Sequence, residues 1–387
     1  MPRTDSDGAA SILIVGAGAA GLSAGAALKQ KGLEPTILDK DDRIGGSWAR
    51  RYERLHLHTI RRFSGLAHFP IPSAYPRYVH KDAYARYLED YARTFQLRIE
   101  LNQRVQTIRP VDGKLWKTVS EGGERWRTRV VIIATGHYNE PVVPRWAGTD
   151  DFAGRILHSS EYVSGREFAG QAVLVVGIGN SGAEIAADLL EQGGSRVAIA
   201  VRTPPPIMPR DLFGVLPVQL LGIALTPIPA PRLLDRAGAA TRRVAIGDLS
   251  KYGLGRAEWG PFTARRPAVI DVGFLQQLKA LKIDVRPALD CFSPSGVVFV
   301  DGREEAFDAV VLATGFNSGL SRMLDVPDAV DESGRPRYRS GRPTPHPGLY
   351  FIGFDETTRG VLFEANRDSK RLAGAVRRYL DTSAMPA

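Results

Sequence analysis

Two stretches of the chain share one hydrophobic signature: a fully apolar run, a glycine turn, then a segment in which alanine and leucine recur at helical spacing. The first is SILIVGAGAAGLSAGAALKQKG from Ser11, and the second is QAVLVVGIGNSGAEIAADLL from Gln171. Short apolar runs closed by glycine predict strands buried on both faces, and the segments that follow predict helices packed on them. EPTILDK (Glu34–Lys40) predicts the next strand, and RIGGSW (Arg43–Trp48) a glycine-rich loop. From Tyr75, YPRYVHKDAYARYLEDYARTF predicts a helix, with Tyr84, Tyr87, Leu88 and Tyr91 three or four positions apart. RIELNQRVQTI, KLWKTVS and ERWRTRVVIIATG are broken by Gly113 and Gly122–Gly123, and predict a small β-meander feeding a parallel strand. VVFVDGREEAFDAVVLATGF repeats that plan, and FEANRDSKRLAGAVRRYL predicts a closing helix.

The two strand ends Ala134-Thr135-Gly136 and Ala313-Thr314-Gly315 form an internal pair, with small residues where a chain passes close to a ligand. The second copy reads as the return into the first unit. The expected fold class is therefore α/β, with two Rossmann-like dinucleotide-binding domains, the second inserted into a split first. The expected boundaries are 1–165, 166–295 and 296–387.

Chemistry enters with the glycine spacing. Gly16-x-Gly18-x-x-Gly21 is followed by Asp39, and Gly177-x-Gly179-x-x-Gly182 by Arg202 about twenty residues on. Such turns bring a pyrophosphate against backbone N–H groups at a helix N-terminus. A carboxylate at the end of the next strand accepts from a free ribose 2′-hydroxyl, whereas an arginine there pairs with a 2′-phosphate. The first unit is expected to hold FAD and the second NADPH. One chain holding both points to a flavin-dependent oxidoreductase.

Composition narrows this further. The chain of 387 residues is long enough for two or three full cores, and its charge of +9 comes mostly from arginine. There is no basic run with interleaved aromatics, so the surplus reads as a solvated surface and two anionic cofactors rather than nucleic acid. Cys291 is the only cysteine, which excludes a CxxC redox pair and fits a reducing, cytoplasmic compartment. The polar start MPRTDSDGAA reads as no signal peptide. Leu212–Pro231 carries no charge, but four prolines interrupt it. It predicts a buried or pocket-lining insertion rather than a membrane span, with a membrane contact as the lesser reading. No metal-ligand spacing occurs among the histidines, and the sequence does not specify oligomeric state.

Phe152-x-Gly154-x-x-x-His158-x-x-x-Tyr162 resembles the identifying motif of flavin-containing monooxygenases. Baeyer–Villiger enzymes carry Trp at the last position, and Val163 stands where the family usually has Lys or Arg. The wider resemblance is to YUCCA-type flavin monooxygenases, through RIGGSWARRYERLHLHT, VVGIGNSGAEIAADL, PAVIDVGFLQQLK, DAVVLATGF and GLYFIGFDETTRGVLFEANRDSKRLA. It implies a small-molecule substrate, NADPH and O2, a C4a-(hydro)peroxyflavin, and oxidative decarboxylation of an aromatic α-keto acid such as indole-3-pyruvate. Alternatives on the same scaffold are N- or S-oxygenation, Baeyer–Villiger oxidation and, remotely, a flavin redox sensor.

Cofactor contacts are expected at the six fingerprint glycines and at Asp39, Lys40, Gly46, Trp48, Val105, Ala134, Thr135 and Gly136, with Gly45 beside them. Asn180, Ser181, Arg202, Thr314 and Gly315 complete the set. His58 and Thr59 fall where the family places residues near the flavin ring, with plain packing the competing reading for His58. His158 reads as structural. Arg210, beside the uncharged insertion, is the candidate for a substrate carboxylate.

Overall fold

A computed structural model describes residues 12–113 and 115–382. The N-terminal segment read as lacking a signal peptide lies outside the described residues, as do Ser11 and Lys114 of two predicted strands. The first part of the chain runs β1 (Ile12–Val15), α1 (Ala19–Lys29), β2 (Thr36–Leu38), α2 (Lys81–Thr94), β3 (Arg98–Glu100) and β4 (Val130–Ile133). The second part runs β5 (Arg155–His158), β6 (Ala172–Val176), α3 (Asn180–Glu191), β7 (Arg196–Ala200), α4 (Val218–Leu225), α5 (Pro231–Ala245), β8 (Ile283–Arg286) and β9 (Ala309–Leu312). β10 (Leu349–Phe351) and α6 (Val361–Thr382) close it.

Two five-stranded sheets result, in the orders β10-β4-β1-β2-β3 and β8-β7-β6-β9-β5. Every pairing within them is parallel. β1, β4, β6 and β9 are buried throughout, apart from half-buried Ala172 at the start of β6, as their apolar runs require. The meander forms at Val105–Val111, Leu115–Ser120 and Arg125–Thr128. α1 lies against α6, where the Ser23 and Ser369 hydroxyls meet at 2.9 Å.

The second Ala-Thr-Gly strand corrects the expected organisation. β9 does not return to the first sheet; it pairs with β6, Val173 opposite Ala309. The physical reason lies in the glycine turns. A Cβ on Gly16 would fall 2.6 Å from the Ala134 carbonyl oxygen, and one on Gly177 would fall 2.7 Å from that of Ala313. Each fingerprint strand thus needs its own Ala-Thr-Gly neighbour, and the repeat marks equivalent places in two units. The second sheet therefore begins before residue 166, with β5, and ends after 296, with β9. The return to the first sheet is made by β10. The chain crosses between units where Glu140–Pro141 pairs with Phe316–Asn317.

Two local readings also shift. The tyrosine-rich helix starts at Lys81, not Tyr75, because Pro76 intervenes and His80 is extended, its ring capping the Asp82 N–H. The glycine loop contains a short helix, Gly46–Ala49, entered through left-handed Gly45.

The Phe152–Tyr162 motif secures the second unit. The Tyr162 hydroxyl donates to Asp188 of α3 at 2.7 Å, and the Gly165 N–H donates to the same oxygen at 2.8 Å. Both side chains are buried. Tyr162→Phe is expected to cost about 1–3 kcal/mol of stability, because a buried carboxylate loses a donor. Denaturant unfolding with flavin content held equal measures this; an unchanged midpoint would remove the motif's anchoring role.

Candidate functional site

A cleft of about 660 Å3 opens at the carboxyl ends of β1, β2 and β4. Of the expected cofactor residues, Gly16, Gly18, Asp39, Lys40, Gly46, Val105, Ala134 and Thr135 line it, together with Gly45. Each glycine of the first turn has a separate task. Gly16 has φ +111°, which a side chain rarely adopts, and Gly21 lets α1 settle on the Gly16 carbonyl. A Cβ on Gly18 would instead project into open space, with no atom within 4 Å. The second turn repeats this: Gly177 has φ +102°, Gly182 packs on the Gly177 carbonyl, and Gly179 faces open space.

The donors around the first cleft suit a dinucleotide. Asp39 accepts from Ala17 N–H at 2.5 Å and Asp41 N–H at 2.8 Å, and burial raises its pKa above the ordinary carboxylate value. The Thr135 hydroxyl is buried without a hydrogen-bond partner. Lys40 reaches the Asn139 side-chain oxygen at 2.5 Å, and burial, followed by the nearby Arg104, lowers its pKa. Several arginines line the cleft, and most are already paired: Arg43 with Glu89, Arg50 with Asp41, Arg104 with Glu121 and Arg322 with Glu140. Arg51 is different. It has no ion pair among the described residues, lies 4.9 Å over the Phe316 ring, and has its pKa lowered by burial. A cation with no carboxylate partner among the described residues, an orphaned hydroxyl and a helix N-terminus fit an anionic pyrophosphate with its ribose on Asp39.

Other expected residues have different surroundings. Gly21 supports the turn from beneath, and Gly136 lies beyond the cleft lining with φ +72°. Trp48 points its ring edge at Tyr84, 4.8 Å between centroids, on the core side of the loop. Thr314 and Gly315, expected at the flavin, belong to the crossing between units. The Thr314 hydroxyl donates to the Val142 carbonyl at 2.5 Å, and the Gly315 carbonyl lies 3.0 Å from His158 Nε2. His158 is buried, which lowers its pKa, and its Nδ1 accepts from the Ser160 N–H at 3.1 Å.

In the second unit, Arg202 is exposed at the end of β7 and has no partner among the described residues. The Asn180 side-chain oxygen accepts from the Ile270 N–H at 2.8 Å. Ser181 is half-buried beside the Tyr52 hydroxyl. His58 meets Glu184 of α3 at 2.5 Å, and Thr59 bonds the Ser64 hydroxyl at 2.7 Å. Arg210 lies 3.9 Å over the Tyr78 ring, outside the cleft lining.

The uncharged insertion is only partly buried. Leu212 and Gln219 are covered, whereas Phe213, Val215, Leu216 and Ile228 are exposed. Its inner face is mixed: Leu212, Val218 and Leu221 pack with Met208 and Ala268, and polar groups bond the neighbouring loops. Gln219 accepts from Ile60 N–H at 2.8 Å and donates to the Arg359 carbonyl at 2.9 Å, while Thr226 bonds Thr358. No described helix is long and apolar enough to cross a membrane. Sequence reading passed over Arg51, Glu184 and Gln219. Their only signals were an acid within an alanine-rich helix and the one amide of an apolar segment.

Two parallel-sheet units, each with a glycine turn over its own Ala-Thr-Gly strand, define a two-dinucleotide flavoprotein oxidoreductase. Residues 13–209 match the pyridine nucleotide-disulphide oxidoreductase family. The chain is 37% identical over 364 residues to the indole-3-pyruvate monooxygenase YUCCA1 of Oryza sativa subsp. japonica, covering 90% of this chain and 87% of that protein. It is 36% identical to the indole-3-pyruvate monooxygenase YUCCA6 of Arabidopsis thaliana, covering 93% and 88%. A flavin-containing monooxygenase from Stenotrophomonas maltophilia superposes with TM-score 0.72 at 26% identity, covering 97% of this chain and 99% of that one. The chain belongs to the YUCCA-type flavin-containing monooxygenases, and uses FAD and NADPH. Its single cysteine leaves no pair for the disulphide chemistry in the broader family's description.

The two equivalent glycine turns can be tested one at a time. Gly21→Ala is expected to abolish FAD retention, because the new Cβ meets the Gly16 carbonyl. Gly182→Ala is expected to keep a yellow protein but weaken NADP+ binding at least tenfold. Flavin absorbance and calorimetric titration with NADP+ read the two effects; loss of both cofactors in both variants would contradict separate sites.

Proposed function

We propose that this flavin monooxygenase oxidatively decarboxylates an aromatic α-keto acid, with indole-3-pyruvate converted to indole-3-acetate. The observation that carries this reading is the 33–37% identity, over nine-tenths or more of the chain, to curated indole-3-pyruvate monooxygenases. The balance is one keto acid, O2, NADPH and a proton giving the shortened acid, CO2, NADP+ and water. Bound FAD, reduced by NADPH, supplies the activation of O2.

The chain's own residues bind, orient and exclude water. The turn at Gly16 and Gly18, with Arg51, holds the flavin pyrophosphate, and Asp39 holds its ribose. The turn at Gly177 and Gly179 holds the second pyrophosphate, and Arg202 takes the 2′-phosphate. Arg210 is assigned to the substrate carboxylate. Stacking on Tyr78 orients its guanidinium, which makes no hydrogen bond to a described residue. The segment 211–226 lies against the loops at Ile60 and Arg359 and screens the junction from water. The single, half-buried cysteine accords with a cytoplasmic setting.

Two measurements test the reading. Purified yellow protein with NADPH, O2 and indole-3-pyruvate is expected to give one indole-3-acetate and one CO2 per NADPH. Consumption of NADPH with only H2O2 formed would move the search to amines, sulfides and other ketones. Arg202→Ala is expected to raise KM for NADPH by about 10- to 100-fold, the worth of a charge-assisted pair, and to leave NADH unchanged. Equal changes for both nucleotides would remove the 2′-phosphate role.

A further inference from the structure

The segment from Tyr52 to His58 leaves the flavin-side glycine loop and runs along α3 of the NADPH unit. Arg54 pairs with Glu191 at 3.2 Å and donates to the Val272 carbonyl at 2.9 Å. Tyr52, buried, brings its hydroxyl to Ser181 and Glu184, and burial holds its pKa well above the phenol value. His58 ends the run, its Nε2 2.5 Å from Glu184 Oε1.

Glu184 is unusual. It is 1% exposed, in a helix whose neighbouring inward positions are Ala183, Ile185, Ala186 and Ala187, and its second oxygen is buried without a partner. A buried carboxylate is costly unless partnered, and the ring that partners it comes from the other unit. Sliding one unit against the other would strand that carboxylate. The contact therefore resists displacement in a way that apolar packing, which is non-directional, does not. Glu184 lies about one helical turn after Asn180, at the end of α3 that receives the nicotinamide dinucleotide.

We propose that His58 and Glu184 are a pair of positioning residues, locking the NADPH-binding end of α3 to the flavin-side loop so that hydride is delivered at the right distance. The proposal rests on assigning the second unit to NADPH. It adds that the alignment of the two cofactors, rather than the affinity for either, depends on this cross-unit pair.

The test is anaerobic rapid mixing of the FAD-loaded enzyme with saturating NADPH, alongside calorimetric titration with NADP+. His58→Ala is expected to slow flavin reduction at least tenfold, while the NADP+ Kd stays within twofold and FAD is retained. His58→Gln, which keeps a donor near Glu184, is expected to recover reduction to within threefold of the parent enzyme. His58→Ala/Glu184→Ala is expected to be no slower than the single variant. Reduction within twofold of the parent in His58→Ala overturns the proposal. So does a reduction rate that falls together with NADP+ affinity, or equal rates for the Ala and Gln variants. If His58→Ala fails to fold, Glu184→Gln takes its place, with the same split between rate and affinity expected and an unchanged rate overturning the proposal. Failure of the parent enzyme itself to bind NADP+ would instead strike the assignment of the second unit.

Discussion

The architecture depends on one close approach, made twice: a helix resting directly on the backbone of the strand turn before it. At Gly21 and Gly182 there is no room for a methyl group between the helix and the carbonyl of the first glycine. That contact sets the angle at which each helix leaves its sheet. It also aims the helix N-terminal N–H groups across the strand ends. The first glycine of each turn is pressed in its own way against the carbonyl of an alanine from the neighbouring strand. Helix, turn and adjacent strand are thus a single unit, and the chain contains two of them.

This explains which parts of the fold were legible. β1, β6 and the helices after them were legible because apolar runs and glycine spacing are local properties. The fate of the second Ala-Thr-Gly strand was not, because strand pairing joins residues 173 and 309 across the chain. Identical local sequence could mean an equivalent place or a return, and only the carbonyl over Gly177 distinguishes them. The start of α2 was missed by six residues because tyrosine periodicity continued through a proline that ends helical geometry.

The site was legible to a similar depth. Fingerprint glycines and Asp39 follow from how a pyrophosphate and a ribose are held, so their places were implied by type and spacing. Thr314 and Gly315 lie with their strand at the crossing between units, outside the cleft lining. Arg51 stands out because no described carboxylate pairs with it and Glu184 because its partner comes from a distant loop, and no sequence window shows either. Asn180 is a further case: its side-chain oxygen accepts from the Ile270 N–H, a contact between residues ninety positions apart that no local spacing announces.

The insertion over the junction is held in two ways: Gln219 and Thr226 make polar contacts, and Leu212, Val218 and Leu221 pack with Met208 and Ala268, while Phe213 and Val215 stay exposed. Hydrogen bonds of this kind are worth only about 0.5–1.5 kcal/mol each, because water takes their place when they part. Lifting the Thr226 end would give up such bonds, whereas lifting the Leu212 end would also expose the apolar cluster it shares with Met208 and Ala268. The segment is therefore fastened unevenly, by exchangeable hydrogen bonds toward Thr226 and by apolar burial toward Leu212.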